Sequence, residues 1–168
     1  MHRSGRFLIC LALLGLGACY ASWRFETALE RTAATIVPAD VSVGVSAVAQ
    51  NPRDLEVLKV AIEGELVTLG VFRSVVRSCA EADLCLAARV FSQNEPEFED
   101  LAADLSGVSP SILSEVIVAR ESGNPVLSFI LGASRSGGLA RLESGSGTIT
   151  IIGTEIARQV ADRVRNAE

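Results

Sequence analysis

The chain has 168 residues, a formal net charge of −5, 49% hydrophobic side chains, one His and four Cys. That length suits one domain with a real core. With one Lys (Lys59) and no basic run, binding to nucleic acid through phosphate neutralisation is excluded. The only His is His2, so the body of the chain can assemble neither a Ser-His-Asp nor a Cys-His arrangement, nor a His-ligated metal site. An enzyme would have to work with carboxylates or a Ser-Lys pair. The expectation is a protein that is not an enzyme and carries no cofactor or metal.

The N-terminus reads as an export signal. Arg3 and Arg6 precede residues 7–18, an uncharged stretch rich in Leu, Ala and Gly. A spanning helix needs about 20 apolar residues, so this run matches the h-region of a secretory signal. It ends in Leu16-Gly17-Ala18-Cys19, which resembles the bacterial lipobox: Leu, two small residues, then Cys. The small residues let the chain enter the peptidase extended. The Cys19 thiolate takes a diacylglyceryl thioether, and cleavage before it frees an amine for a further acyl chain. An ordinary signal cut after Ala18 or Ala21 is the alternative, but no clean A-x-A triplet is present. One acyl chain anchors weakly, whereas two or three hold firmly. Residue 20 is Tyr rather than Asp. In similar lipoproteins this favours the outer membrane, facing the periplasm, over retention in the inner membrane.

The remaining cysteines follow. Cys10 leaves with the signal and Cys19 carries lipid, so Cys79 and Cys85 are left in an oxidising compartment and are expected to pair. Their spacing is neither C-x-x-C nor that of a zinc knuckle. Closing this loop of seven residues stabilises the fold by about 2 kcal/mol. Removing residues 1–18 takes Arg3, Arg6 and His2. Thirteen basic residues (15 less 2) then face 20 acidic ones, a net charge of −7.

Residues 20–40 read as a tether with a short helical segment around 26–35. Trp23 and Phe25 stand close to the anchor, either on the head groups, where aromatic residues are favoured, or against the domain. Residues 41–50 alternate Val41, Val43 and Val45 with small residues, as a strand does. Asn51 as cap, Pro52 in the first turn and acidic Asp54 start a helix. Its apolar stripe is Leu55, Leu58, Ile62, Leu66 and Leu69, and Gly70 ends it. "VFRSVVRS" and "LCLAARVFSQ" read as strands around the Cys79–Cys85 loop. Residues 94–111 read as an acidic, broken loop. "ILSEVIVARE" and "VLSFILGASR" make a hairpin turned at Gly123-Asn124, although Ser109-Pro110 offers a helix start instead. A Gly/Ser loop, a further short strand at 148–152 and a terminal helix over 154–166 complete the chain. The order β-α-β-β-β-β-α predicts an α/β (α+β) two-layer sandwich: a mostly antiparallel sheet with two helices on one face. The expected division is 1–18 signal peptide, 19–37 lipidated Cys and tether, and 38–168 a single domain.

This sequence of features is a lipobox, a strand, a Leu-rich helix ending "LVTLGVF", a strand ending "ARVF", the turn "ESGNPV" and an Ala-rich terminal helix. It resembles small, mostly uncharacterised bacterial envelope lipoproteins whose domain is similar to the amino-terminal domain of TolB. The resemblance implies a place in a transport, secretion or assembly system and brings no catalytic residues.

Three clusters invite sharper readings. Glu95, Glu97, Glu99 and Asp100 are too unspecific for Ca²⁺ or glycosidase chemistry and read as a solvated loop. "SGSG" at 144–147 lacks the Lys and the strand–turn–helix context of a phosphate loop. Arg73, Arg77 and Arg89 either converge on an anionic head group or form surface ion pairs. The functional expectation is a lipid-anchored, periplasm-facing accessory protein that binds the membrane through its acyl chains and a protein partner through a sheet edge or helix face. The alternative is a periplasmic carrier of a lipid or other apolar ligand.

Overall fold

The computed structural model describes residues 22–33, 38–105, 109–136 and 146–166. Six strands, β1 (Ser22–Ala33), β2 (Ser42–Val48), β3 (Ser74–Val76), β4 (Leu84–Ser92), β5 (Ile112–Arg120) and β6 (Pro125–Ser136), form one open sheet in the order β1-β6-β5-β4-β2-β3. Helices α1 (Pro52–Leu69), α2 (Pro96–Ala102) and α3 (Ser146–Arg165) complete the fold. The antiparallel pairs are β1–β6, β6–β5 and β5–β4, while β2 runs parallel to both β4 and β3. The expected mostly antiparallel sheet with two long helices on one face is what the structure shows.

Helix α1 is the element whose sequence signals all find their structural counterparts. The Asn51 side chain accepts from the Arg53 backbone N–H at 3.0 Å, Pro52 opens the helix, and Gly70 closes it at φ 59°. Leu58, Ile62 and Leu66 are fully buried. Facing them from α3 are Ile152, Ile156, Val160 and Val164, interleaved with Ala157 and Ala161. The small residues let the two helices approach. A Cβ built on Gly153 would lie 2.7 Å from the Ala61 Cβ and 3.1 Å from the Leu58 carbonyl oxygen. Both helices rest on the face of the sheet made by Val43, Val45, Leu86, Val116 and Phe129.

The opposite face is covered at one end. Phe91, Leu113 and Ile130 meet Phe98 and Leu105 in a second, smaller core. This corrects the expected acidic loop: Pro96 at the first helical position and the buried Phe98 fold part of it into α2, whose acidic first turn complements the helix dipole.

Other expectations are also corrected. Residues 26–35 were expected to include a helical segment; over Ser22–Ala33 the chain is instead a strand paired with β6. Trp23 and Phe25 pack against the main core, and Arg24 between them is exposed, a period of two. The further strand expected at 148–152 is the start of α3. Ile149, Ile152 and Ile156 extend the helical stripe upstream, so packing overrides the β-branched preference of "TITII". Gly147, expected in a loop, also lies in α3, while residues 144–145 lie outside the described residues. Only three residues of "VFRSVVRS" are strand, and they pair with β2 rather than β4.

That last pairing explains a connection. Strands β3 and β4 are parallel and flank β2, so the chain between them must cross β2. A parallel crossover usually needs a dozen residues to return along the strand. Here β3 ends opposite Gly44 and β4 begins opposite Val43, so no return is needed and the 77–83 loop suffices. It passes so close to β2 that a Cβ on Gly44 would lie 2.7 Å from the Ser78 carbonyl oxygen and 2.8 Å from the Cys79 backbone.

Candidate functional site

Leu16, Gly17, Ala18 and Cys19 lie outside the described residues. Cys79 and Cys85 are joined in a disulfide, with Cα atoms 4.9 Å apart, and the bridge closes the crossover loop on itself.

Beside the bridge sits a polar clamp that sequence reasoning did not single out. Asp83 Oδ2 accepts from the Ser42 backbone N–H at 2.8 Å, from the Ser42 hydroxyl at 2.7 Å and from Arg73 Nη2 at 3.0 Å. The Asp83 N–H in turn donates to Ser42 Oγ at 3.1 Å. The Ser42 backbone and hydroxyl, helped by the Arg73 charge, hold the Asp83 carboxyl below the usual carboxylate range against the opposing push of desolvation. This clamp fixes the starts of β2 and β4 to each other.

The three arginines do not converge. Arg73 pairs with Asp83, and Arg89 lies over the Phe91 ring at 4.3 Å and pairs with Glu97 at 3.4 Å and Glu95 at 3.9 Å. The Arg77 carbonyl accepts from Lys59 Nζ at 3.1 Å. Two of the four clustered acids, Glu95 and Glu97, therefore serve as partners of Arg89. Among the described residues, no three His, Cys, Asp or Glu side chains stand together as a metal would require.

Three surface features stand out among the described residues. A cleft of about 210 Å³ lies where α1 and α3 begin, lined by Asn51, Asp54, Phe91, Glu95 and Ile149. A cleft of about 470 Å³ lies at the near end of β1 and is lined by Trp23, Gln93, Asn94, Ser111, Ser134 and Arg135. The third feature is on the solvent side of α1. Val60 and Val67, one heptad apart, are 63% and 65% exposed. Between them Gly64 has open space where a side chain would be. Among the described residues, no helix is long and apolar enough to cross a membrane.

No family model and no curated protein matches the chain. Solved structures do. A PelC dodecamer from Paraburkholderia phytofirmans shares the fold at a TM-score of 0.52 and 12% identity, over 83% of this chain and 97% of that one. A DUF4136 family protein from Bacteroides thetaiotaomicron aligns at a TM-score of 0.46 and 12% identity, over 84% and 97% of the two chains. A minor lipoprotein from Acinetobacter baumannii aligns at 0.42 and 10%, over 77% and 94%. At such identities the PelC likeness is one of fold. Similarity to the TolB amino-terminal domain is not shown by these structures; that resemblance rests on element order and the Gly-containing hairpin turn.

Proposed function

We propose that this chain is a lipid-anchored accessory protein of a bacterial envelope, working by association rather than by catalysis. In this reading Cys19 carries the acyl chains, the anchor sits in the outer membrane, and the domain faces the periplasm. The lipobox supports the anchor, and Tyr20 in place of Asp supports the outer membrane. The observation that carries the association is the bare face of α1. Two exposed valines one heptad apart flank a glycine whose side-chain space is empty. A helix face of this kind admits a partner helix closely, and isolated solvent gains nothing from it.

The first partner to test is another copy of the chain. The fold neighbour PelC is a dodecamer, and carrying self-association over to this chain is our proposal. Where a carrier would open the space between helices and sheet, Leu58, Ile62, Ile156 and Val160 fill it at 0% exposure, which supports association over carriage.

The test is the mass of the detergent-extracted full chain by light scattering, for the wild type and for Val60→Glu/Val67→Glu. An oligomer that the double variant reduces to monomer supports the reading. A wild-type monomer, or an oligomer indifferent to the two charges, contradicts self-association through α1.

A further inference from the structure

We propose that the cleft between Trp23 and Arg135 binds a phosphate group, which at the membrane is that of a phospholipid headgroup. The source of the phosphate rests on the anchored reading above; the site itself does not.

The register of β1 on β6 sets Trp23 directly opposite Arg135 and Arg24 opposite Ser134. Directly paired residues share a face with Cβ atoms about 5 Å apart. The indole and the guanidinium therefore stand side by side on the helix-bearing face, in the cleft of about 470 Å³. Asn94, Gln93 and Ser111 line it with them. Gln93 Nε2 donates to the Pro110 carbonyl and Ser111 Oγ to the Ala133 carbonyl. These two are thereby fixed as walls, and Asn94 also lines the cleft.

Arg135 is the unexplained group. Its Nε is buried and has no hydrogen-bond partner. Among the described residues it has no ion pair, and no carboxylate lines the cleft. Arg73, Arg89, Arg158 and Arg163 all have side-chain partners. Leaving a buried guanidinium N–H without an acceptor is costly, and a bound acceptor removes that cost. The planar guanidinium fork suits a phosphate, which it can engage through two parallel bonds.

Position supplies the source. Cys19 precedes Trp23 by four residues, so at 3.3–3.6 Å per residue the Trp23 Cα lies within about 14 Å of the Cys19 Cα. Headgroup layers are roughly 5–8 Å deep on each side of the hydrocarbon, and Trp favours that layer. A domain tethered so closely brings this cleft to lipid phosphates.

Trp23 is the only tryptophan, so its fluorescence reports the site directly. The full chain, held in a neutral, phosphate-free detergent, is titrated with a short-chain phosphatidylglycerol, with the matching diacylglycerol and with inorganic phosphate. The proposal expects a saturable change with the phospholipid, weakened about tenfold or more in Arg135→Gln and partly restored in Arg135→Lys. Arg89→Gln, paired elsewhere, leaves it unchanged. A like response to inorganic phosphate, with the same dependence on Arg135, keeps the site and makes free phosphate an equal source. No response to either phosphate ligand, an equal response to diacylglycerol, or a response indifferent to Arg135→Gln overturns it. Because the titration is independent of acylation, a chain found without lipid at Cys19 leaves the site standing, and a failed titration leaves the anchor standing.

Discussion

Ser42 and Asp83 lie 41 positions apart in sequence and bond each other in both directions. The Ser42 N–H and hydroxyl give to the Asp83 carboxylate, and the Asp83 N–H gives to the Ser42 hydroxyl. The pair joins the first residue of β2 to the residue before β4, with Arg73 closing it from the β3 side. It is the polar counterpart of the disulfide on the same crossover.

This clamp makes stability pH-dependent at the acid end. The Asp83 pKa is depressed in the folded state, so its contribution is fully present above the ordinary aspartate value of about 3.9. It is lost as pH falls from there through the lower folded value. Wild-type protein is expected to lose stability over that window, and Asp83→Asn to show a weaker dependence from a lower starting stability. Denaturant midpoints at several pH values check this.

Breaking the Cys79–Cys85 bridge with Cys79→Ser/Cys85→Ser is expected to cost about 2 kcal/mol, roughly 5 °C in Tm for a chain of this size. The clamp holds the same connection, so the variant should still fold. Gly44→Ala should be worse than its size suggests, because the added methyl meets backbone at Ser78 and Cys79 at under 3 Å. Thermal melts of the two variants decide this.

Two helical glycines should respond with opposite signs to the same change. Gly64 in α1 has open space beyond its Cα, so Gly64→Ala gains up to about 1 kcal/mol of helix propensity. Gly153 in α3 abuts Ala61 and the Leu58 carbonyl. Gly153→Ala must push the helices apart, and the expected net loss is about 1–3 kcal/mol. If Gly153→Ala stabilised the protein, the close packing of α1 on α3 would be wrong.

Arg163 ties three elements together. Its guanidinium lies 4.4 Å from the Phe129 ring centroid, gives to Thr27 Oγ1 at 3.0 Å and to the Gln159 carbonyl at 3.2 Å. Arg163→Ala should cost about 1–2 kcal/mol and loosen β1 first. Hydrogen exchange should show protection falling more in Ser22–Ala33 than in β4.

What the sequence revealed and what it hid divide along physical lines. Helix α1 was legible from Asn51 to Gly70 because cap, stripe and stop are local signals. The β5–β6 hairpin was legible for the same reason: Gly123 sits at φ 79° in its turn. Strand β1 was hidden because its alternation rests on Trp23, Arg24 and Phe25 alone, and its partner β6 is the last strand of the chain. The start of α3 was hidden because Thr148, Ile149, Thr150 and Ile151 prefer strand, and only Ile149 and Ile152 packing into the core favour the helix. Of the candidate site, Trp23 was visible as an aromatic residue near the anchor. Arg135 was not, since only the β1–β6 register brings it alongside.

The central claim is that the chain is held to a membrane through Cys19. Its most direct test is the intact mass of full-length protein and of Cys19→Ala, taken from the membrane fraction of an expressing bacterium with and without reductant. The account predicts a wild-type chain beginning at Cys19 with added acyl mass, a two-proton gain on reduction of the Cys79–Cys85 bridge, and no acyl mass in Cys19→Ala. An unmodified wild-type chain in the soluble periplasmic fraction would contradict it.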